Sequence, residues 1–181
     1  MPPRGMRLFV AVTVPAAAVA EATAAAAPWL SLPGTRRVRD GSQHVTVRFL
    51  GSVPEADLPE IARAIGEAAR ASRSGVVRLR GLGAFPGRRA RVLWAGVDDD
   101  GVLAALAVGL SGFPGPDGDR PYRPHLTLAR YEPPARLEGL PGPPGRAFGE
   151  PFPVRAVVLF RSHPGPEGSR HEALGEFPLG R

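Results

Sequence analysis

The chain has 181 residues, 43% of them hydrophobic and 22% charged, which is typical of a globular protein, and we predict one domain over residues 1–181. All 23 basic residues are arginines, and with 17 acidic residues the net charge of +6 favours an anionic partner. The sequence contains neither lysine nor cysteine. Their absence excludes a Schiff-base lysine, a lysyl-adenylate, a thiol nucleophile, a disulfide framework and a cysteine zinc site.

The first part of the chain predicts a strand, a helix and two short strands, at residues 6–14, 16–29, 35–39 and 43–50. Arg4 and Arg7, before the first apolar stretch, resemble the start of a secretion signal, but Pro15 interrupts that stretch. No stretch reaches the ~18 consecutive apolar residues of a membrane helix. We therefore expect a cytoplasmic protein with no membrane partner.

The next predicted element is a helix over residues 55–72, where Pro54 precedes acidic first turns and apolar residues recur at helical spacing. The remaining predicted elements are strands at 76–81, 90–97, 124–131, 154–161 and 171–178 and a helix at 101–112. Glycine and proline predict loops at 82–89 and 132–151. This order indicates an α/β fold of the α+β type with two similar halves, each with a motif strand and a helix.

One tetrapeptide pattern occurs twice, as His44-Val45-Thr46-Val47 and as His125-Leu126-Thr127-Leu128. Both copies lie in predicted strands, where successive side chains point to opposite faces, so each histidine shares a face with its threonine. An imidazole can give or take a proton near neutral pH, and a hydroxyl can donate to an oxyanion. The repeat therefore predicts a two-sided acid–base site.

Arg48 and Arg130 are candidates for substrate contact because a guanidinium matches phosphate. Strand alternation places Arg48 on the face of the first motif, and places Arg130 on the opposite face unless its strand bulges. Two aromatic residues, Tyr122 and Phe85, are candidates for stacking on a base, and His171 is a candidate for the cleft wall. We interpret the acidic run at 98–100 as a helix cap and not as a metal cluster.

In their settings, HVTVRFLG from His44 and RPHLTLAR from Arg123, the two motifs resemble those of the 2H phosphoesterase superfamily. They are most similar to its RNA 2′,3′-cyclic phosphodiesterase branch, also called 2′-5′ RNA ligases. The resemblance includes the segments at 6–12, 90–96 and 158–162, while His171 stands where the family often has a tyrosine. It implies a bilobal fold, with two pseudo-symmetric lobes of antiparallel sheet backed by helices around a central cleft.

The resemblance implies His44 as proton donor to the departing 3′ oxygen and His125 as proton acceptor from water. It implies Thr46 and Thr127 as phosphate-binding residues, with no metal and no cofactor. The implied substrate is an RNA or oligonucleotide with a 2′,3′-cyclic phosphate end, which is hydrolysed to a 2′-phosphomonoester. Because the two motifs are nearly symmetric, the sequence alone does not assign acid and base. Without a lysine, any ligation would run the ring opening in reverse.

Two other interpretations stay open, and we expect a monomer in each case. One is a cyclic phosphodiesterase for small nucleotides or for 2′-5′ oligonucleotides. The other is a non-catalytic module that binds RNA ends. Two intact histidine motifs favour an enzyme, since phosphate binding alone is served better by arginine and backbone amides than by neutral imidazoles.

Overall fold

The computed structural model describes residues 5–87, 89–113, 121–166 and 168–181. Arg4, considered above as part of a secretion signal, lies outside these residues. The elements are, in chain order, β1 (Met6–Thr13), α1 (Ala16–Ala25), α2 (Ala27–Leu30), β2 (Thr35–Arg37), β3 (His44–Val53), α3 (Leu58–Ala71), β4 (Gly75–Phe85), β5 (Ala90–Asp98), α4 (Val102–Gly109), β6 (His125–Ala135), β7 (Ala147–Val154), β8 (Ala156–His163) and β9 (Arg170–Pro178). The predicted mixed α/β class is confirmed.

The strands form one antiparallel sheet in the order β7-β4-β5-β6-β3-β1-β8-β9, with β2 paired to β6 beside this path. The two motif strands are neighbours at its centre, where Val45 of β3 lies opposite Leu126 of β6. We call β3, β1, β8 and β9 the β3 half, and β6, β5, β4, β7 and β2 the β6 half. In each half the motif strand is innermost, so the expected pseudo-symmetry is present within one continuous sheet.

Neither half is continuous in sequence. Helix α1 follows β1 along the chain but packs on β7 and β4 of the β6 half, whereas α3 packs on β9 and β8 of the β3 half. Helix α2 is held to the β6 half because the Tyr131 hydroxyl donates a 2.9 Å hydrogen bond to the Trp29 carbonyl. Where α1 approaches β7, Gly149 has a positive φ of 67° and lies against Ala18. The chain therefore crosses from one half of the sheet to the other more than once.

The core lies behind the motif strands. The four residues that alternate with the motif histidines and threonines are all buried, namely Val45, Val47, Leu126 and Leu128. Burying a side chain of this size contributes roughly 1.5–3 kcal/mol. Their burial fixes which way the alternating His and Thr side chains point, toward the opposite face of the sheet.

Two predicted helices differ from those observed. The helix expected at 16–29 is two helices, because Pro28 occupies the first turn of a new helix at Ala27–Leu30, where its missing N–H is tolerated. The helix expected at 55–72 begins with a 3₁₀ turn at Glu55–Asp57, and the α-helix has Pro59 in its own first turn. In the second helix the predicted apolar stripe does pack on the core, but side-chain periodicity indicated neither break.

The two predicted loops were wrong in part. Strand β4 continues to Phe85, β6 continues to Ala135, and the whole strand β7 at Ala147–Val154 was missed. Strand β7 contains prolines at 151 and 153, and it tolerates them because it is an edge strand, where a residue without an N–H can lie. The strand predicted at 154–161 is β8, which begins at Ala156 after β7 has ended.

Within the acidic run, Asp99 caps the following helix as predicted. The Asp99 carboxylate accepts hydrogen bonds from the backbone N–H groups of Leu103, at 2.6 Å, and Gly101, at 3.3 Å, at the start of α4. Within the described ranges, no group of three or more His, Asp or Glu side chains could hold a metal ion. The described helices are all too short or too polar to cross a membrane.

Candidate active site

A cavity of about 1030 Å³ opens over the centre of the sheet, on the face opposite the core. The side chains of both motifs reach it, so its lining includes His44, Thr46, His125 and Thr127. These residues lie on two adjacent central strands, whose hydrogen-bonded backbones hold side chains more firmly than a loop does. The structure thus brings together the four residues that the repeat had singled out.

The two imidazoles are held in the same way. His44 Nδ1 lies 2.9 Å from the Ser42 carbonyl, and His125 Nδ1 lies 2.7 Å from the Arg123 carbonyl, in each case two residues earlier in the chain. A carbonyl oxygen can only accept, so Nδ1 carries the hydrogen and donates it. This fixes the tautomer and leaves Nε2 as the ring nitrogen that can exchange a proton with a bound molecule.

The surroundings of His44 are aromatic. Its ring centroid lies 4.8 Å from that of Phe9 and 4.9 Å from that of His171, which approaches edge-on, while Phe160 stacks on Phe9. The pKa of His44 is lowered to about 4, chiefly by burial among these rings and also by the nearby charges of His171, His125 and Arg130, against the opposing Ser42 hydrogen bond. Without a bound anion, His44 is therefore neutral at pH 7.

Different aromatic residues support His125. Phe85 meets its ring edge-on at 5.2 Å between centroids and stacks on Trp94 at 4.9 Å. The Trp94 ring lies so close over β4 that a Cβ at Gly83 would collide with it. Phe85 and His171 both line the cavity, so these two secondary candidates from the sequence lie where a bound nucleotide would meet them.

Tyr122 lies near the motifs but does not line the cavity. Its hydroxyl donates a 2.9 Å hydrogen bond to the backbone carbonyl of Thr46, which links the segment before His125 to strand β3. Burial raises the pKa of Tyr122, and the Asp99 carboxylate raises it further, so the hydroxyl stays protonated as a donor. Tyr122 therefore joins the two halves of the site instead of stacking on a base.

The strand-parity prediction was wrong for Arg48, and the exception that it allowed for Arg130 applies, because both motif strands bulge after the threonine. In β3, Thr46 pairs with Ala11 and Arg48 with the very next residue of β1, Val10, so Val47 is an extra residue. Arg48 consequently points to the core side, where its Nη2 donates to the Phe113 carbonyl at 2.8 Å. It is not part of the cavity lining.

The bulge in β6 has the opposite consequence for Arg130. Thr127 pairs with Trp94 and Ala129 with Leu93, so Leu128 is the extra residue and alternation resumes one position later. Arg130 thereby joins Thr127 on the cavity face. The fifth residue after each histidine now faces the cavity, as Phe49 in the β3 half and as Arg130 in the β6 half.

Comparison with known proteins agrees with this geometry. The model of the 2′-5′ RNA ligase superfamily matches residues 13–165, which is most of the chain. The chain belongs to this superfamily. A curated relative from Thermus thermophilus, named RNA 2′,3′-cyclic phosphodiesterase, is 35% identical over 96% of this chain and 90% of its own length. A relative of the same name from Archaeoglobus fulgidus is 31% identical over 70% of this chain and 73% of its own.

Solved structures share the fold of this superfamily member. A crystal structure of a Thermus thermophilus protein superposes with a TM-score of 0.81 at 34% identity, covering 96% of this chain and 98% of the other. E. coli LigT in its apo form has the same fold, with a TM-score of 0.78 at 23% identity, covering 98% and 99%. The mixed α/β fold, an antiparallel sheet with helices, is thus common to these proteins.

Sequence reasoning missed several residues of this ligase-superfamily site. Phe9 and Phe49 line the cavity, and neither was a candidate from the sequence, although Phe49 is 40% exposed. Alternation along β1 could have indicated Phe9, because β1 pairs directly with the first motif strand. Phe49 could not have been found in this way, because the bulge at Val47 decides which face it occupies.

Proposed function

We propose that this protein hydrolyses RNA 2′,3′-cyclic phosphate ends to 2′-phosphomonoesters by acid–base catalysis without a metal. The observation that carries the proposal is the matched pair of Nδ1-donating imidazoles on adjacent strands, each with its threonine, over one cavity. The curated relatives that carry the name RNA 2′,3′-cyclic phosphodiesterase support the same activity. We place it in one bilobal domain, monomeric and cytoplasmic.

In this mechanism water attacks the phosphorus atom while His125 Nε2 accepts its proton. The bond from phosphorus to the 3′ oxygen breaks on the opposite side, and His44 Nε2 gives that oxygen a proton, which leaves the phosphate on the 2′ oxygen. Two imidazoles on either side of phosphorus suit this in-line displacement, since one acts as base and the other as acid. After turnover the protons return through solvent.

Three further side chains would stabilise the charge that develops on the non-bridging oxygens. Thr46 and Thr127 line the cavity on the same strands as the histidines, and their hydroxyls would donate hydrogen bonds to these oxygens. The Arg130 guanidinium lines the cavity next to the second motif and would pair with the phosphate. We assign no substrate contact to Arg48 or to Tyr122.

The role of His44 as proton donor requires that bound substrate changes its protonation. With its pKa lowered to about 4 by burial, His44 is neutral in the empty site at pH 7. A phosphodiester anion beside the ring favours the charged imidazolium and so raises the pKa. The aromatic surroundings then favour proton donation by His44, because a buried imidazolium gives up its proton more readily than one in water.

The test is product analysis. The protein is incubated, with a chelator present, with a short RNA that ends in a 2′,3′-cyclic phosphate, and the phosphomonoester is identified. We expect the 2′-phosphate. A 3′-phosphate product, or loss of turnover with the chelator, would contradict the mechanism, and retention of the cyclic end without turnover would favour the binding module. Adenosine 2′,3′-cyclic phosphate and a 2′-5′-linked dinucleotide, assayed in parallel, test the small-nucleotide alternative.

A further inference from the structure

The two motif histidines rest on similar aromatic supports. In the β3 half, strands β1 and β8 follow the motif strand outward, and Phe160 of β8 stacks on Phe9 of β1 beside His44. In the β6 half, the corresponding strands β5 and β4 provide Trp94 and Phe85, which stack in the same way. Each half therefore supports its histidine with a pair of stacked rings from the next two strands.

His171 has no counterpart in this arrangement. It comes from β9, the outermost strand of the β3 half, and it meets the His44 ring edge-on with 4.9 Å between centroids. The outermost strand of the β6 half is β7, and none of its residues, all of which the structure describes, lines the cavity. His171 is thus an additional ring in the β3 half. Unlike the phenyl rings of Phe9 and Phe160, it can form hydrogen bonds.

Only one nitrogen of the His171 ring can contact a bound molecule. Among the described residues, Nδ1 has no hydrogen-bond partner, and it is buried. Because His171 lines the cavity, Nε2 is the nitrogen that it can present there. Burial lowers the pKa of His171, against the nearby Ser42 carbonyl, which raises it, so the ring is neutral at pH 7 and carries one hydrogen. That hydrogen belongs on Nε2, since a buried N–H without an acceptor is unfavourable.

An imidazole at this position is unfavourable for stability alone. A phenyl ring would make the same contacts with Phe9 and His44 without burying an unpaired nitrogen. Side chains that lower stability are typical of functional sites, where activity and stability trade off. The imidazole of His171 therefore indicates a contact with a bound molecule.

In the proposed mechanism, the phosphate lies close to His171. His44 Nε2 protonates an oxygen that leaves phosphorus, and His171 is in contact with the same His44 ring. The β6 half offers Arg130 to the phosphate, whereas the β3 half has Phe49 at the corresponding position. We propose that His171 is a further catalytic residue, whose Nε2–H donates a hydrogen bond to the non-bridging phosphate oxygen on the β3 side. This inference rests on the proposed function.

The test separates the ring of His171 from its hydrogen-bond donor. His171→Phe keeps an aromatic ring and removes the donor, whereas His171→Gln keeps an N–H donor and removes the ring. The matched control is His163→Phe, the same change in the same β8–β9 hairpin, since His163 pairs with Glu172 at 2.7 Å and does not line the cavity. The substrates are two short RNAs whose cyclic phosphate lies on a terminal adenosine or on a terminal uridine. For each variant kcat, KM and the melting temperature are measured.

We expect His171→Phe to lower kcat on the order of 10-fold on both RNAs with little change in KM, because the hydrogen bond strengthens as charge develops on the phosphate. Its melting temperature should equal or exceed that of the wild type, since the buried unpaired nitrogen is gone. His171→Gln should keep kcat within about three-fold of the wild type, because its amide still donates. The control should match the wild type in kcat and KM.

Three results would overturn the inference while leaving the proposed function intact. Near-normal kcat in His171→Phe would make His171 a packing residue. Equal losses of kcat in His171→Phe and His171→Gln would show that the donor is not what matters. A loss confined to KM, or to one of the two terminal bases, would place the contact on the nucleoside. If the wild type releases no 2′-phosphate from either RNA, the proposed function fails together with this inference, so the two failures are distinguishable.

Discussion

The β3 half and the β6 half carry the same local design with different chemistry. In both, a histidine donates Nδ1–H to the carbonyl two residues earlier, a threonine follows on the same face, and a bulge shifts the alternation. The fifth residue after the histidine then faces the cavity. It is Phe49 in the β3 half and Arg130 in the β6 half, so the same position is aromatic on one side and cationic on the other.

This difference shows how one strand pattern can support two roles. In the β3 half, Phe9, Phe160 and His171 surround His44 and lower its pKa by excluding water. In the β6 half, Arg36, Arg37 and Arg130 line the cavity, so that positive charge lies near the second motif. The shared features hold the imidazoles, and the features that differ give the two sides of the cavity distinct surroundings.

We expect the largest effect on activity from replacing the histidine that each half contributes to the site. His44→Ala and His125→Ala should each reduce kcat about 10²- to 10⁴-fold, because each removes a general acid or base. Turnover of a cyclic-ended RNA and melting temperature are measured together. His163→Ala is the matched control, since His163 pairs with Glu172 on the surface at 2.7 Å and lies outside the cavity. Near-normal turnover in either folded active-site variant contradicts the two-histidine mechanism.

Replacing each motif threonine tests whether the two halves contribute equally to phosphate binding. Thr46→Val and Thr127→Val keep the side-chain shape and remove the hydroxyl. A hydrogen bond to a charged group is worth about 1.5–3 kcal/mol, so kcat/KM should fall roughly 10- to 150-fold with little change in melting temperature. Thr23→Val on helix α1, away from the cavity, is the control. If kinetics are unchanged in both active-site variants, the threonines are only strand formers.

Substitutions at Arg130 and Arg48 test whether the strand bulges, and not simple alternation, decide which arginine faces the cavity. Arg130→Gln should lower kcat/KM on the order of 10-fold, through a lost charged contact to phosphate. Arg48→Gln should leave kcat/KM within about two-fold and lower the melting temperature instead, because it removes the hydrogen bond to the Phe113 carbonyl. The reverse pattern, with activity lost at position 48 and kept at position 130, would contradict the assignment.

The smallest effect is a displacement of the pH profile. As proton donor, His44 is active only when protonated, so activity falls as the pH rises through its pKa, and neutral His125 is lost at low pH, which gives a bell. The profile of kcat/KM reports the free protein, where the His44 pKa is about 4, while kcat reports the bound state. The descending limb of the kcat profile should therefore lie about 1 to 3 pH units above the descending limb of the kcat/KM profile. A profile that rises monotonically to high pH would indicate a hydroxide mechanism.

The sequence by itself placed the paired histidines and threonines on one face of each motif strand. Alternation within each motif strand is a local property, and the buried Val45, Val47, Leu126 and Leu128 fix it, so His and Thr could be placed on one face without a structure. The absence of lysine and cysteine could also be read directly. The two matched motifs sufficed to indicate the superfamily.

Only the tertiary structure decided what surrounds those side chains. A bulge depends on the register with a neighbouring strand, and so the faces of Arg48, Phe49 and Arg130 are set by β1 and β5 and not by their own sequence. The prolines of β7 fit a strand only because that strand is at the sheet edge. The pairing of β2 with β6 joins residues that are far apart in the chain, and no local pattern encodes such a contact.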